Sequence, residues 1–267
     1  MVVAEYETLE TLSVMGLPVH CPSGSDLESR HGALSNDYVR WLHQRLEQHK
    51  GAHVVTLNAE MCMQAQENAQ LQRFISQADM VAPDGSGIEL YFRFLGEHPV
   101  RRYPGIELAE DLLASLGPET KVAFYGGKPE VVAAAADYWS ARSPQINLTI
   151  VQHGYAKGVD LDDFINQLEA TQPDLIFVGL GVPRQEFWIA EHRPLCPNAI
   201  WVGVGGSFDI WSGTKERAPK LMQNMHLEWL YRLYQEPWRW RRMLALPHFV
   251  WASFWYRMTK EKRGRRA

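Results

Sequence analysis

A single carboxylate follows a short apolar run in the segment APDGSG, residues 82–87. Asp84 comes directly after Pro83, and Gly85 and Gly87 let a ligand approach the backbone closely. The same residue types also form ordinary turns, so a purely structural role stays open. A carboxylate that is partly shielded from water has a raised pKa and can accept a proton from a substrate hydroxyl. The segment therefore indicates a candidate general base.

Polar side chains follow other apolar runs in the same way. Thr56 and Asn58 offer hydrogen bonds after AHVVTL, although Asn58 is equally suited to cap a helix. In VGLGVPRQEFW, Pro183 suits a first helical turn, which would gather residues 184–186 at an N-terminus that favours phosphate. Asp209 lies five residues beyond a further apolar run, where it could bind a sugar hydroxyl or cap a turn.

Two glycine pairs are weaker indications of a phosphate site. Gly126 and Gly127 follow one apolar run, and Gly205 and Gly206 follow another. Neither pair has the spacing of GxGxxG or of a P-loop, and glycine turns after strands are frequent without any ligand. HExxH and GxSxG motifs are absent, and the three cysteines form no CxxC pair. We therefore expect no dedicated metal site.

These loops belong to a regular alternation of apolar runs and amphipathic segments, which is typical of a parallel sheet covered by helices. The predicted strands are 52–57, 79–83, 121–126, 147–152, 174–180 and 199–204. The predicted helices are 36–49, 60–77, 106–116, 129–142, 161–170 and 184–193. We predict an α/β fold with a doubly wound, mostly parallel, Rossmann-like sheet. Ligands of such folds bind beyond the carboxyl ends of the strands, so the loops are expected to share one rim.

The last part of the chain differs in composition. Residues 214–267 contain no apolar run followed by glycine, and they read as two or three helices with breaks near Pro237 and Pro247. From Lys215 onward there are 13 Lys and Arg against 4 Asp and Glu, whereas the preceding residues carry 14 against 27. We therefore predict an α/β core, residues 1–213, and a basic, aromatic-rich helical appendage that meets an anionic partner.

Three arginines of this appendage are candidates for that contact. Arg232, Arg239 and Arg242 are seven and three residues apart, near one face of a helix, with Trp and Tyr beside them. Aromatic residues beside cations suit a membrane interface, and arginine binds phosphate well. An RNA-binding tail would use the same residues, and isolated surface arginines often have no ligand. Composition alone leaves the partner open.

Taken in order, the loop segments resemble the WecG/TagA/CpsF bacterial glycosyltransferases, glycosyltransferase family 26. The resemblance covers roughly residues 52–250 and rests on VVTLNAEM, APDGSGI, YGGKP, HGY, DLIFVGLGVPRQEFWI, VGVGGSFDIWSG and RAPKLMQNMHLEWLYRLYQEPWRWRRM. It implies inverting transfer of an N-acetylmannosamine-type sugar from a UDP donor to a lipid-diphosphate-linked N-acetylglucosamine, as in teichoic acid and related polysaccharide biosynthesis. It also implies a peripheral protein at the cytoplasmic face of the membrane, with no metal strictly required.

The resemblance assigns roles to individual residues. Asp84 resembles the proposed general base, with Thr56 and Gln185 as further catalytic residues. The implied donor-site residues are Asn58, Gly126, Gly127, Tyr155, Gly205, Gly206 and Asp209. The arginines implied to reach the acceptor diphosphate are Arg232, Arg239 and Arg242. Because the core loops supply few cations, we expect the appendage to fold over the rim when the protein meets its lipid substrate.

Several alternatives stay open. The same fold could use another UDP-sugar, with a glucosyl or mannosaminuronate group. A soluble nucleotide-sugar enzyme such as an epimerase would use the appendage only as an oligomer interface. A non-enzymatic module that binds nucleic acid or a membrane surface through the basic appendage is a second alternative, and a non-transferase nucleotide-sugar-binding protein is a third. The favoured partners are a UDP-sugar donor, a prenyl-diphosphate-linked acceptor and the cytoplasmic membrane surface, without nucleic acid, and self-association stays open.

Overall fold

The computed structural model describes residues 9–22, 33–95 and 100–264. Its central sheet is formed by β3 (Ala52–Leu57), β4 (Met80–Pro83), β5 (Lys121–Gly126), β6 (Asn147–Gln152), β7 (Leu175–Gly179) and β8 (Ile200–Gly203). The strand order is β4-β3-β8-β7-β5-β6, and all neighbouring strands are parallel. The predicted doubly wound α/β sheet is confirmed.

Helices connect the strands on both faces of the sheet. They are α1 (Ala33–Glu47), α2 (Ala59–Glu67), α3 (Ala69–Ser76), α4 (Ser86–Phe94), α5 (Gly105–Ser115), α6 (Pro129–Arg142), α7 (Val159–Thr171), α8 (Arg184–His192) and α9 (Ser207–Trp211). The prediction of one helix over 60–77 was wrong, because the chain breaks at Asn68. The Asn68 side chain accepts a hydrogen bond from the Leu71 backbone N–H at 3.0 Å and so begins a new helix.

Alternate residues of each strand enter opposite cores, as the pleat of a strand requires. Val122 and Phe124 of β5 pack on one face of the sheet, whereas Ala123 and Tyr125 pack on the other. All four side chains are buried, which accounts for the continuous apolar runs in the sequence. The other strands apart from the edge strand β6 are likewise almost entirely buried, so their polar neighbours reach solvent mainly where the strands end.

A hairpin precedes this sheet. Strands β1 (Leu9–Val14) and β2 (Leu17–Pro22) pair antiparallel around Met15 and Gly16, both of which have positive φ angles of 49° and 86°. A two-residue turn of this kind matches the twist of the paired strands. The His20 ring on β2 accepts a hydrogen bond from the Val81 backbone N–H at 2.8 Å, which attaches the hairpin to the core.

The helices after the sheet form the appendage. They are α10 (Lys220–Asn224), α11 (Glu228–Gln235), a 3-10 turn (Pro237–Arg239), α12 (Trp240–Met243) and α13 (Ala245–Gly264). The chain breaks at Pro237 as predicted, but α13 begins at Ala245 and accommodates Pro247 in its first turn, where an N–H is not needed. Helix α13 packs against α2 and α4. The appendage thus packs directly against helices of the core.

Two aspartates accept backbone hydrogen bonds at the amino ends of the strands, and the two hydrogen bonds differ in burial. Asp79 accepts the His53 backbone N–H at 2.8 Å and pairs with Arg193 at 3.1 Å. Asp174 accepts the Lys121 backbone N–H at 2.8 Å, but in an exposed setting. We expect Asp79→Ala to lower the free energy of unfolding by about 2 kcal/mol, because a half-buried donor and a cation lose their acceptor.

Asp174→Ala is the matched control, with an expected loss below about 1 kcal/mol because water replaces the lost acceptor. Urea unfolding at neutral pH measures both values. Equal losses in the two variants would contradict the assignment of the larger effect to the partly buried ionic network around Asp79.

Candidate active site

A cleft lies at the carboxyl ends of β4, β3 and β8, the strands that stand side by side at one end of the sheet order. Thr56, Asp84 and Gly205 reach it from the three strand ends, and Gln185 reaches it from α8. Arg232 and Arg242 of the appendage form its outer wall. The structure therefore brings residues from five separate sequence segments into one site at the predicted rim.

Asp84 lines this cleft from the end of β4 and is partly buried. Its backbone N–H donates to the Leu57 carbonyl at 2.8 Å, which fixes the residue at the end of β4 against β3. Burial of the carboxyl raises its pKa to about 6, even though Arg232 and Arg102 act in the opposite direction. Glu228 adds a further upward effect on the same pKa. A carboxyl with this pKa is largely ionised at neutral pH and is well matched to proton abstraction.

Arg102 is a cation of the site that the sequence did not single out. It lies in the loop before α5 and lines, with Asp84 and Arg232, a smaller cavity that continues from the cleft. Its guanidinium donates to the Gln223 carbonyl at 2.7 Å and pairs with Glu228 at 3.3 Å. Glu228 also pairs with Arg232 at 3.1 Å. One carboxylate thus holds two arginines beside Asp84, one from the core and one from the appendage.

A second ion pair closes the cleft from the side of α12. Arg242 Nε lies 2.7 Å from Glu60 Oε1, and both residues line the cleft. Arg239 belongs to the 3-10 turn that precedes α12, and its side chain lies outside the described part of the structure. Of the three predicted arginines, the structure therefore brings Arg232 and Arg242 together at the site.

Thr56 and Asn58 line the wall opposite the appendage. The Thr56 hydroxyl donates to the Gly203 carbonyl across a rather long 3.4 Å, and its side chain is buried against Gly105. Asn58 Oδ1 accepts the Met61 backbone N–H at 3.0 Å, so the helix cap anticipated from the sequence is present. Because the cap engages Oδ1, the amide nitrogen of Asn58 is the group that it offers to the cleft.

Gln185 is held by contacts on both sides of its amide. Gln185 Oε1 accepts the Gly205 backbone N–H at 3.0 Å, and Gln185 Nε2 donates to Glu186 Oε1 at 2.9 Å. A Cβ atom at Gly203 would lie 2.5 Å from Gln185 Nε2, so this position requires glycine. Burial raises the pKa of Glu186 to about 7. The pair fixes the orientation of the Gln185 amide beside the turn that follows β8.

We expect Glu186→Leu to reduce turnover about tenfold, because the Gln185 amide loses its acceptor and can rotate away from Gly205. Glu186→Gln keeps an oxygen at the same place and should retain most of the activity. Steady-state rates with saturating donor measure both variants, and equal loss in the two would show that the carboxylic acid itself, rather than its acceptor oxygen, is needed.

Asp209 contributes through a lysine. Its carboxylate pairs with Lys215 Nζ at 3.0 Å, and Lys215 also lies 3.2 Å from Glu236. Lys215 and Glu236 line the cleft, whereas Asp209 supports Lys215 from behind. The sequence pointed to Asp209 and missed Lys215, which places a cation next to Gly206.

Gly126 is the last residue of β5, and Gly127 follows it. In the sheet, β7 separates β5 from β8. Gly126 pairs with Gly179 of β7, and the Gly127 backbone N–H donates to the Gly179 carbonyl at 3.1 Å. A Cβ atom at Gly126 would lie 2.5 Å from the Gly179 backbone, so the close approach of these strand ends depends on glycine. Tyr155, which follows β6, is 64% exposed. These three predicted residues are not among those that line the Asp84 cleft.

Comparison with known proteins agrees with this geometry. The model of the glycosyl transferase WecG/TagA/CpsF family matches residues 27–263, which is most of the chain. The chain belongs to the WecG/TagA/CpsF family of glycosyltransferases. The family match extends the resemblance of the loops through residues 27–213 of the core and through nearly all of the appendage.

Two relatives carry a specific name. A Bacillus spizizenii protein is 39% identical over 208 residues, 78% of this chain and 80% of its own length. A Bacillus subtilis protein is 34% identical over 206 residues, 77% of this chain and 80% of its own length. Both are named N-acetylglucosaminyldiphosphoundecaprenol N-acetyl-beta-D-mannosaminyltransferase.

The described part of this WecG/TagA/CpsF family member includes no helix with the length and hydropathy that a bilayer span requires. In the same residues, His, Cys, Asp and Glu side chains form no group of three or more that could hold a metal ion. Arg232, Arg242 and Lys215 of the cleft form ion pairs with carboxylates.

Proposed function

We propose that the protein is an inverting N-acetylmannosaminyltransferase that uses a UDP-linked donor and an N-acetylglucosamine carried on a prenyl diphosphate. The observation that carries this proposal is the position of Asp84. Its carboxyl, with a pKa raised to about 6, lies between the turn after β8 and the arginines of the appendage. The names of the two Bacillus relatives supply the sugar and the acceptor.

In the proposed reaction, Asp84 removes the proton from an acceptor hydroxyl as that oxygen attacks the anomeric carbon of the donor sugar. The new C–O bond forms on the face opposite the diphosphate, and the bond from the anomeric carbon to the UDP oxygen breaks. UDP leaves with that electron pair, so the configuration at the anomeric carbon inverts. The base must therefore stand on the acceptor side of the cleft, which is where Arg102 and Arg232 accompany Asp84.

The negative charge that develops on the leaving diphosphate needs hydrogen-bond donors and cations on the donor side of the cleft, away from the acceptor. The N-terminus of α8 and the Lys215 ammonium group lie there, beside the backbone turn that contains Gly205 and Gly206. The helix N-terminus provides a partial positive charge, the lysine provides a full positive charge, and the turn provides backbone N–H groups. These groups support transfer without a metal ion strictly required, with the UDP-sugar as substrate rather than cofactor.

The appendage supports peripheral attachment to the cytoplasmic face of the membrane. Its exposed large apolar side chains include Trp238, Trp240, Leu244, Val250, Trp251, Phe254, Trp255 and Met258. A concentration of tryptophan and arginine at one surface is typical of proteins that lie at a membrane interface. A protein in this place meets both a water-soluble nucleotide sugar and a membrane-borne acceptor.

A donor screen tests the proposed function. Purified protein is incubated in detergent with a synthetic prenyl-diphosphate N-acetylglucosamine and one UDP-sugar at a time, with and without EDTA, and UDP release and product mass are measured. We expect product from UDP-N-acetylmannosamine, with little effect of EDTA. Product from a glucosyl or mannosaminuronate donor alone would reassign the sugar. Binding of UDP-sugars without release from any of them would overturn transfer in favour of a binding protein.

A further inference from the structure

A second, largely apolar groove lies between α4 and α13. Its cavity volume is about 420 Å³. Phe249 forms the floor and is 2% exposed, whereas Leu90 on α4 and Val250 on α13 form the walls and are 37% and 63% exposed. An apolar trough with a fully buried floor and solvent-facing walls suits an elongated hydrocarbon better than a sugar or a nucleotide.

The groove is continuous with the acceptor side of the cleft. Gly87, Trp229 and Leu246 line both the groove and the smaller cavity that contains Asp84 and Arg102. Apolar surface therefore begins where the cationic site ends. A ligand with an anionic head and a hydrocarbon chain matches this arrangement, because its head can bind at the cationic site while its chain lies in the groove.

Helix α13 presents two separate apolar faces. Leu246, Phe249, Val250 and Ser253 recur at helical spacing and line the groove. Trp251, Phe254, Trp255 and Met258 recur at the same spacing on another face and are exposed by 69%, 59%, 59% and 43%. The outer face is available to a bilayer, whereas the inner face is already shaped by α4. The two faces can be altered independently.

We propose that the groove between α4 and α13 binds the first isoprenoid units of the acceptor's prenyl chain, next to its diphosphate. This inference rests on the proposed acceptor. The diphosphate lies by Arg102 and Arg232, and the chain leaves it past Gly87 and Leu246, which line both cavities. The groove then selects acceptors by the chain they carry, in addition to the sugar they present.

The test compares two probes that share one head group. The binding of a twenty-carbon prenyl diphosphate and of inorganic diphosphate is measured by tryptophan fluorescence or calorimetry, below the concentration at which the lipid forms micelles. We expect the prenyl compound to bind at least about tenfold more tightly, because several methylene groups leave water. Val250→Asn and Leu90→Asn should remove most of this difference and leave the affinity for inorganic diphosphate unchanged.

Trp255→Asn on the outer face is the matched control, since Trp255 is 59% exposed and does not line the groove. It should leave the binding of the prenyl compound unchanged and weaken attachment to vesicles that contain anionic lipid. If Trp255→Asn reduces prenyl diphosphate binding as much as Val250→Asn does, the chain meets a general apolar surface and the groove assignment is wrong. It is also wrong if both probes bind equally well to the unaltered protein.

Activity separates this inference from the proposed function. In the donor screen, Val250→Asn should raise KM about tenfold for a long-chain acceptor and leave KM unchanged for the same head group on a five-carbon chain. An equal change for both chains would overturn the groove assignment. Absence of transfer to either acceptor by the unaltered protein would overturn the proposed function, whereas the binding comparison would still decide the groove.

Discussion

Asp84→Asn is expected to reduce transfer by about 10²–10⁴-fold, the usual contribution of a positioned general base. Asparagine has nearly the same shape and can occupy the same place at the end of β4, but it cannot accept the proton. The affinity for UDP should change little, since the base acts on the acceptor side. Rates of UDP release and calorimetric titration with UDP check the two parts of this prediction.

The same substitution should stabilise the fold in a pH-dependent way. Burial raises the pKa of Asp84 from 3.8 to about 6, so the folded state holds this proton more tightly than the unfolded state does. The contribution of the neutral carboxyl to stability is complete below pH 4 and is lost as the pH rises through 6. Asp84→Asn should therefore increase the free energy of unfolding at pH 8 by up to about 3 kcal/mol, and change it little at pH 4.

Asp137→Asn, at an exposed position in α6, is the control for both measurements and should leave rate and stability nearly unchanged. Full activity in the Asp84→Asn variant would contradict the assignment of Asp84 as the general base. A variant that is less stable at pH 8 would instead mean that the ionised carboxylate is held by favourable contacts.

Arg232→Gln should raise KM for the acceptor by about tenfold to a hundredfold, because a charge-assisted contact with the diphosphate is lost. It should also move the acid limb of the rate profile to higher pH. The Arg232 guanidinium lowers the pKa of Asp84, so its removal lets that pKa rise. A purely structural role for Arg232 would alter activity without moving the pH profile.

Arg241→Gln is the matched control, since Arg241 lies over the Trp240 ring, 5.4 Å from the ring centroid, and does not line the described cleft. Its pH profile and its KM should equal those of the unaltered protein. Equal effects of the two substitutions would indicate that the appendage attracts the acceptor through overall charge rather than through one positioned arginine.

Much of the sheet could be predicted because its strands are continuously apolar. The run KVAFYG is strand β5 from its first to its last residue, and the glycine that ends it marks the rim. The hairpin was not predicted, because its turn uses Met15 at positive φ where the usual signal is Asn-Gly. The break at Asn68 was missed because the side chain that caps α3 stands within an otherwise helical pattern.

The site was predictable to the extent that its residues follow strands. Asp84, Thr56 and Gly205 could be placed together because parallel strands end at one edge of the sheet. Arg102 could not, because a lone arginine in a loop has no periodicity, and its neighbours Glu228 and Gln223 are more than a hundred positions away. Local sequence patterns predict helices and strands. Contacts between residues that are far apart in the sequence depend on how those helices and strands pack, and local patterns do not contain that information.

The environment of Asp84 depends on residues that lie far later in the chain, since Trp229, Arg232 and Met243 border the same cavity. A ribosome-bound chain that has formed the whole sheet but not yet released these helices would have a hydrated, ordinary carboxylic acid at this position. In the proposed reaction, chemistry would therefore begin only when the last helices have been synthesised and have packed against the sheet domain.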